Sequence, residues 1–189
     1  MSETRILTLV GSLRAGSINR RLAEAAAQTA PAGVGITIYE GLGEIPFYNE
    51  DLDVPGQVPA QAEALRAAVG AADAVLLVTP EYNGTLPAVL KNAIDWASRP
   101  YGAGAIKGKP VAVVSASISP NAAAWAHGDT VKSVGVAGGV VVESAHAHFA
   151  TIGERFAQTH PAEDAEALTQ LGATVHELVA AVNGTLISA

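Results

Sequence analysis

Residues 11–20, GSLRAGSINR, gather the groups that an anion needs. Small residues let backbone N–H groups converge, Ser12 and Ser17 add hydroxyls, and the Arg14 guanidinium can fork onto phosphate oxygens. A helix starting at the end of this loop would add its unpaired N–H groups and the positive end of its dipole. The dipole is worth only about 0.3–1 kcal/mol, so charge-assisted hydrogen bonds of roughly 1.5–3 kcal/mol each would dominate. A plainer reading stays open, in which Ser17 caps the helix and the glycine turns the chain. Two other phosphate motifs are excluded: no lysine follows Gly16, as a Walker loop requires, and G-x-G-x-x-G spacing is missing.

A second loop, residues 79–87 (TPEYNGTLP), is bracketed by Pro80 and Pro87 and contains the turn signal Asn83-Gly84. Such a stiff segment, carrying an aromatic ring and free amides, suits a flat ligand with polar edges. It also suits a plain strand-to-helix connection in which Tyr82 packs on its neighbours. His146 and His148, one residue apart on a strand, would point to the same side and could hold a metal. No third ligand of convincing spacing follows, so solvated or packed imidazoles are the preferred reading, with no metal. His127 could border a substrate pocket. No G-x-S-x-G or H-E-x-x-H is present, which leaves hydrolase chemistry without support.

The elements that position these loops follow from hydrophobic periodicity. Near-continuous apolar runs at 5–10, 34–39, 73–79 and 110–115, with a fifth opening at 139–142, predict strands covered on both faces. Helical spacing links Ile18, Leu22, Ala25, Ala26 and Thr29, and again Leu86, Val89, Leu90, Ala93, Ile94 and Ala97. Residues 57–71 read as an alanine-rich helix, and Leu168, Leu171, Val175, Leu178 and Val182 mark a closing one. Residues 121–134 are ambiguous, because Gly128 and the β-branched residues weaken the pattern. Five strands alternating with helices predict an α/β doubly wound parallel sheet, for which order 2-1-3-4-5 is one of two common choices. Ligands then lie beyond the carboxyl ends of the strands, so the loops after strands one, three and four are the ones to inspect.

Composition narrows the function. With 189 residues, 49% hydrophobic and 15% charged, the chain is expected to form one domain over residues 1–189, neither disordered nor a coiled coil. A net charge of −7 disfavours nucleic acid and anionic membranes as partners. The absence of cysteine excludes thiol chemistry, so a redox role needs a borrowed cofactor. The opening MSETRILTLVGS lacks the apolar core of a signal peptide, and no run approaches membrane-spanning length; a cytoplasmic location is expected.

The two loops, together with residues 90–96 (LKNAIDW), closely resemble the NADPH-dependent FMN reductase family. That family includes flavodoxin-like quinone, chromate and azo reductases. The resemblance implies FMN as cofactor, with Ser12, Arg14, Ser17, Ile18 and Asn19 around its phosphate. Pro80, Glu81, Tyr82, Asn83 and Gly84 would line the isoalloxazine, and Ser115, Ala116 and Ser117 would approach from the other side. It further implies hydride transfer from NADPH or NADH through the flavin to quinone, flavin, azo or metal-oxyanion acceptors, with no side-chain catalyst named. Asn92, Asp95 and Trp96 would lie on a helix that helps form a homodimer or homotetramer. Asn92 and Asp95 read as a polar solvated or interfacial face rather than as catalytic groups. Residues 118–125 (ISPNAAAW) depart from the glycine-rich stretch usual in the family, on the side where an acceptor would bind. Two other readings are a flavin-binding electron carrier or regulator without turnover, and a nucleotide-binding module without flavin.

Overall fold

The computed structural model describes residues 3–187; residues 1, 2, 188 and 189, the ends of the expected 1–189 domain, lie outside the described residues. Five strands, β1 (Thr4–Val10), β2 (Val34–Ile38), β3 (Ala74–Thr79), β4 (Pro110–Ala116) and β5 (Val140–Phe149), form one parallel sheet of order β2-β1-β3-β4-β5. The helices are α1 (Ile18–Gln28), α2 (Ala60–Ala71), α3 (Ala88–Ala97), α4 (Ala124–Val136), α5 (Ile152–Arg155) and α6 (Ala165–Ile187). Both the expected sheet order and the helices on both faces are observed.

The apolar runs are continuous because alternate residues enter different cores. Ile6, Val10, Leu76, Val78, Ala112 and Val114 face α1 and α6, while Leu7, Leu9, Val75, Leu77, Val111 and Val113 face α2, α3 and α4. Every residue of β3 and β4 is buried, as strands flanked by sheet neighbours and helix layers must be. Burying one such leucine or valine side chain is worth about 1.5–3 kcal/mol. The register pairs Val10 with Val78, Val78 with Val114 and Thr79 with Ser115. The strand ends are therefore level, and the loops after β1, β3 and β4 leave the sheet side by side.

Two helices start differently from a simple reading of the sequence. The alanine-rich segment becomes helical only at Ala60, because Pro59 holds an extended φ and ψ at its cap. The ambiguous stretch is the helix α4, but its cap residue Ala123 has φ 60° and no side chain able to accept a hydrogen bond. Preceding it, Ala122 also has positive φ, 53°. Glycine is the residue that adopts this left-handed conformation without steric cost, and here alanines hold it.

Candidate functional site

The loop after β1 turns tightly under the loop after β3. The Gly11 amide donates to the Val78 carbonyl at 2.8 Å. A side chain at Gly11 would come within 3.2 Å of Pro80 and 3.3 Å of Pro87, so a Cβ there would press on both rings and push the two loops apart by a few tenths of an ångström. At the start of α1, Ser17 is buried and its hydroxyl accepts from the Arg20 amide at 3.2 Å. Ser17 is thus a helix cap, with its own hydroxyl proton still free to donate. The Ile18 and Asn19 amides, first in the helix, have no backbone acceptor among the described residues.

Asn19 is only 5% exposed and donates from Nδ2 to the Ala116 carbonyl at 3.5 Å, while its Oδ1 is buried without a partner. An orphaned buried acceptor costs about 1–3 kcal/mol unless a ligand or water supplies a donor. The exposed Arg14 side chain makes no ion pair among the described residues, whereas Arg20 is engaged by Glu24 and by both carboxylate oxygens of Glu40. Ser12 lines a small cleft with Arg14 and Gly41. The five residues expected around a phosphate therefore share one corner, with a free cation, open amides and an unfilled acceptor.

The loop after β3 is a two-residue reversal. Tyr82 and Thr85 exchange backbone hydrogen bonds at 3.1 and 3.2 Å across Asn83 (φ 52°) and Gly84 (φ 77°). Positive φ at both central positions is what an Asn-Gly turn supplies at low cost. Pro80 is buried at the base, and Tyr82 is 48% exposed. The Glu81 carboxylate crosses to the next loop, accepting from the Trp125 and Ala126 amides at 3.1 Å each and from Asn121 Nδ2 at 3.4 Å. Glu81 is the cap that α4 lacks in its own sequence, and a negative charge there also meets the helix dipole favourably.

After β4, the three expected residues divide. Ala116 offers its carbonyl to Asn19, and the Ser117 hydroxyl accepts from the Ser119 amide at 3.1 Å. The fully buried Ser115 hydroxyl donates to the Ala122 carbonyl at 2.8 Å, so its oxygen accepts from His148 Nδ1, also at 2.8 Å. His148 is thereby held as the Nδ1–H tautomer. His146 and His148 do face the same side of β5, and His127 of α4 packs between them, its ring 4.6 Å from His146 and 4.4 Å from His148. Burial, reinforced by His148 and His146, pushes His127 down to about 4, and burial beside His146 lowers His148. Among the described residues no cluster of His, Asp or Glu has the arrangement to hold a metal ion.

Beside the first two loops lies a largely apolar cavity of about 720 Å3, lined by Leu13, Arg14, Ile45, Phe47, Tyr82 and Val89 among others. Its wall is pinned by Asn92, expected on a polar solvated or interfacial face of the helix, and by Trp96. Asn92 Nδ2 donates to the Ile45 and Pro46 carbonyls, Asn92 Oδ1 accepts from the Tyr48 amide, and Trp96 Nε1 donates to the Pro46 carbonyl at 2.8 Å. No sequence signal links residues so far apart. Asp95 pairs instead with Lys91, one turn back on the surface of α3.

A sheet wound 2-1-3-4-5, with its level loops gathered at the point where strand order reverses, belongs to the flavodoxin-like class. Within that class, residues 4–153 match the NADPH-dependent FMN reductase family, and the chain belongs to it. A quinone reductase of Pseudomonas putida is 47% identical over 117 residues, 62% of this chain and 61% of that protein. A quinone reductase of Escherichia coli is 41% identical over 119 residues, 62% of this chain and 63% of that protein. The chain thus aligns with about three-fifths of the length of these curated relatives. The solved structure of FerB, a flavoenzyme NAD(P)H:(acceptor) oxidoreductase from Paracoccus denitrificans, superposes with a TM-score of 0.85 at 31% identity, covering 96% of this chain and 98% of FerB. Among the described residues no helix is long and apolar enough to cross a membrane.

Proposed function

We propose that this chain is an FMN-dependent NAD(P)H oxidoreductase that passes reducing equivalents to quinones and related small acceptors. The observation that carries the proposal is the corner at the start of α1, where the unpaired Arg14, the open Ile18 and Asn19 amides and the orphaned Asn19 Oδ1 meet. FMN fits these groups by chemistry: its phosphate calls for the cation and amides, and a hydroxyl of its ribityl chain is the kind of donor Asn19 Oδ1 lacks. Bound FMN would supply the two-electron chemistry that a chain without cysteine cannot supply itself.

The residues of the chain then bind and orient. Ser12, Arg14, Ser17, Ile18 and Asn19 hold the phosphate end, and Ser117 with the Ala116 strand end closes the second side. The segment from Pro80 to Gly84 presents a rigid edge, stiffened by its reversal and by Glu81 on α4. NADPH or NADH is the reductant, and no side chain is assigned as an acid or base. One domain over 1–189, a cytoplasmic location and a homodimer or homotetramer belong to the same proposal. The exposed Tyr101 and Val136 offer apolar surface for such assembly.

The test is a visible spectrum of the purified protein before and after anaerobic NADPH. Flavin bands that bleach are expected. A protein that stays colourless with added FMN would overturn the cofactor assignment, and a yellow protein that NADPH leaves unbleached would overturn the oxidoreductase reading in favour of a carrier.

A further inference from the structure

Three large apolar side chains stand exposed where the chain leaves β3 and β4: Tyr82 and Ile118 on the loops, and Trp125 in the first turn of α4. Trp125 is the unusual one. The chain has two tryptophans, and Trp96 is fully buried while Trp125 is 66% exposed. Its position is nevertheless fixed. Glu81 accepts its backbone amide at 3.1 Å, and its ring edge lies 3.5 Å from where a side chain on Gly84 would begin. The indole therefore lies against the bare backbone of the Asn83-Gly84 turn, with most of its surface in solvent.

We infer that Trp125 is an acceptor-selecting residue, a π platform beside the Asn83-Gly84 turn that favours planar aromatic acceptors. This rests on the functional reading above. Two features support the choice of ligand class. A held indole stacks on flat rings at little entropic cost, since its backbone is already pinned and Gly84 leaves the ring space. The charges around it are mixed, with Glu81 bonded to the Trp125 amide, Asp129 accepting from the Thr85 hydroxyl at 2.6 Å, and Lys91 and Lys132 lining the same cavity as Thr85 and Asp129, so stacking on the ring rather than charge is what separates one acceptor from another here. Segment 118–125, which departs from the family pattern, thus carries a side chain that can tune acceptor choice.

The experiment compares 1,4-naphthoquinone with ferricyanide, an anion without a π face, as acceptors for the FMN-loaded protein. In Trp125→Ala the ratio of kcat/KM for naphthoquinone over ferricyanide is expected to fall about 5- to 10-fold, and Trp125→Phe to restore most of it. The ratio cancels changes in flavin content or in reaction with NADPH. A second readout needs no turnover: without NADPH, naphthoquinone should quench wild-type indole emission saturably, and Trp125→Phe should lose the saturable part while buried Trp96 remains as reference. An unchanged ratio, or quenching that rises linearly without saturation, would overturn the inference while leaving NADPH bleaching intact. Failure of bleaching in the wild type would instead strike the functional reading beneath it.

Discussion

Asn92 is the side chain whose loss should reveal how the wall of the apolar cavity is held. It is 6% exposed and makes three hydrogen bonds to a single segment: Nδ2 to the Ile45 carbonyl at 3.2 Å and the Pro46 carbonyl at 3.1 Å, and Oδ1 from the Tyr48 amide at 2.8 Å. We predict that Asn92→Ala strands the Tyr48 N–H and the Ile45 carbonyl, whereas the Pro46 carbonyl keeps its bond from Trp96. The stranded, buried Ile45 carbonyl costs about 1–3 kcal/mol, and the lost bond at the half-buried Tyr48 amide about 0.5–1.5 kcal/mol, for a total of about 3 kcal/mol. For a chain of this size that is a fall of roughly 6–12 °C in Tm. Urea unfolding followed by circular dichroism gives the free energy, and calorimetry gives the Tm. Asn92→Asp should do no better at pH 7, because its second oxygen would face the Ile45 and Pro46 carbonyls with no proton to donate. A loss below about 1 kcal/mol in the alanine variant would refute the clamp. Because the clamped segment carries Phe47, 76% exposed beside Leu13 and Tyr82, the same variant should also loosen the cavity next to the two ligand loops.

Three other outcomes are expected. Ala122→Gly should stabilise the fold by about 0.5 kcal/mol, since φ 53° is strained for alanine and open to glycine and the half-buried methyl contributes little packing; a lowered urea midpoint would contradict this. Arg14→Ala should raise the FMN Kd about 10- to 100-fold, the value of one charge-assisted bond, with circular dichroism unchanged; equal FMN titrations would remove Arg14 from the phosphate site. Acid should weaken the fold through His127, which titrates near 6.5 when unfolded and at about 4 when folded. Its folded value is depressed, so the unfolded chain binds the extra proton and stability falls as pH drops through that window. The loss should be about 1 kcal/mol by pH 5 after allowing for partial exposure, and His127→Gln should flatten the pH dependence of the urea midpoint. An unchanged slope in that variant would locate the acid sensitivity elsewhere.

Much of the site could be placed before any coordinates. The loops after β1 and β3, proposed to hold the ligand, stand where the sequence places them, because a strand buried on two faces leaves a continuous apolar run and a run must end where its loop begins. Asn83-Gly84 specified its own turn, as both residues accept positive φ. Ser17 was legible both as a phosphate donor and as a cap, and the structure shows the capping bond.

The local chemistry of the chain determined the strands, the loops that gather at the switch point, the need for a borrowed redox cofactor and the family resemblance. What only the tertiary structure decided were bonds between a side chain and a distant backbone. Helix α4 was ambiguous because Gly128 and β-branched residues weaken its pattern, and its cap comes not from Ala123 but from Glu81 on another loop. Asn92 and Asp95 are alike in sequence spacing, yet one is buried on the segment 45–48 and the other pairs at the surface. His127 joins His146 and His148, and Ser115 turns toward His148, because an irregularity in the β4–β5 register between Val111 and Val113 sets His146 opposite Val113 and His148 opposite Ser115, beneath α4. Periodicity reports which face a residue occupies; which polar group meets which is set by the register of the sheet and the packing of helices across it.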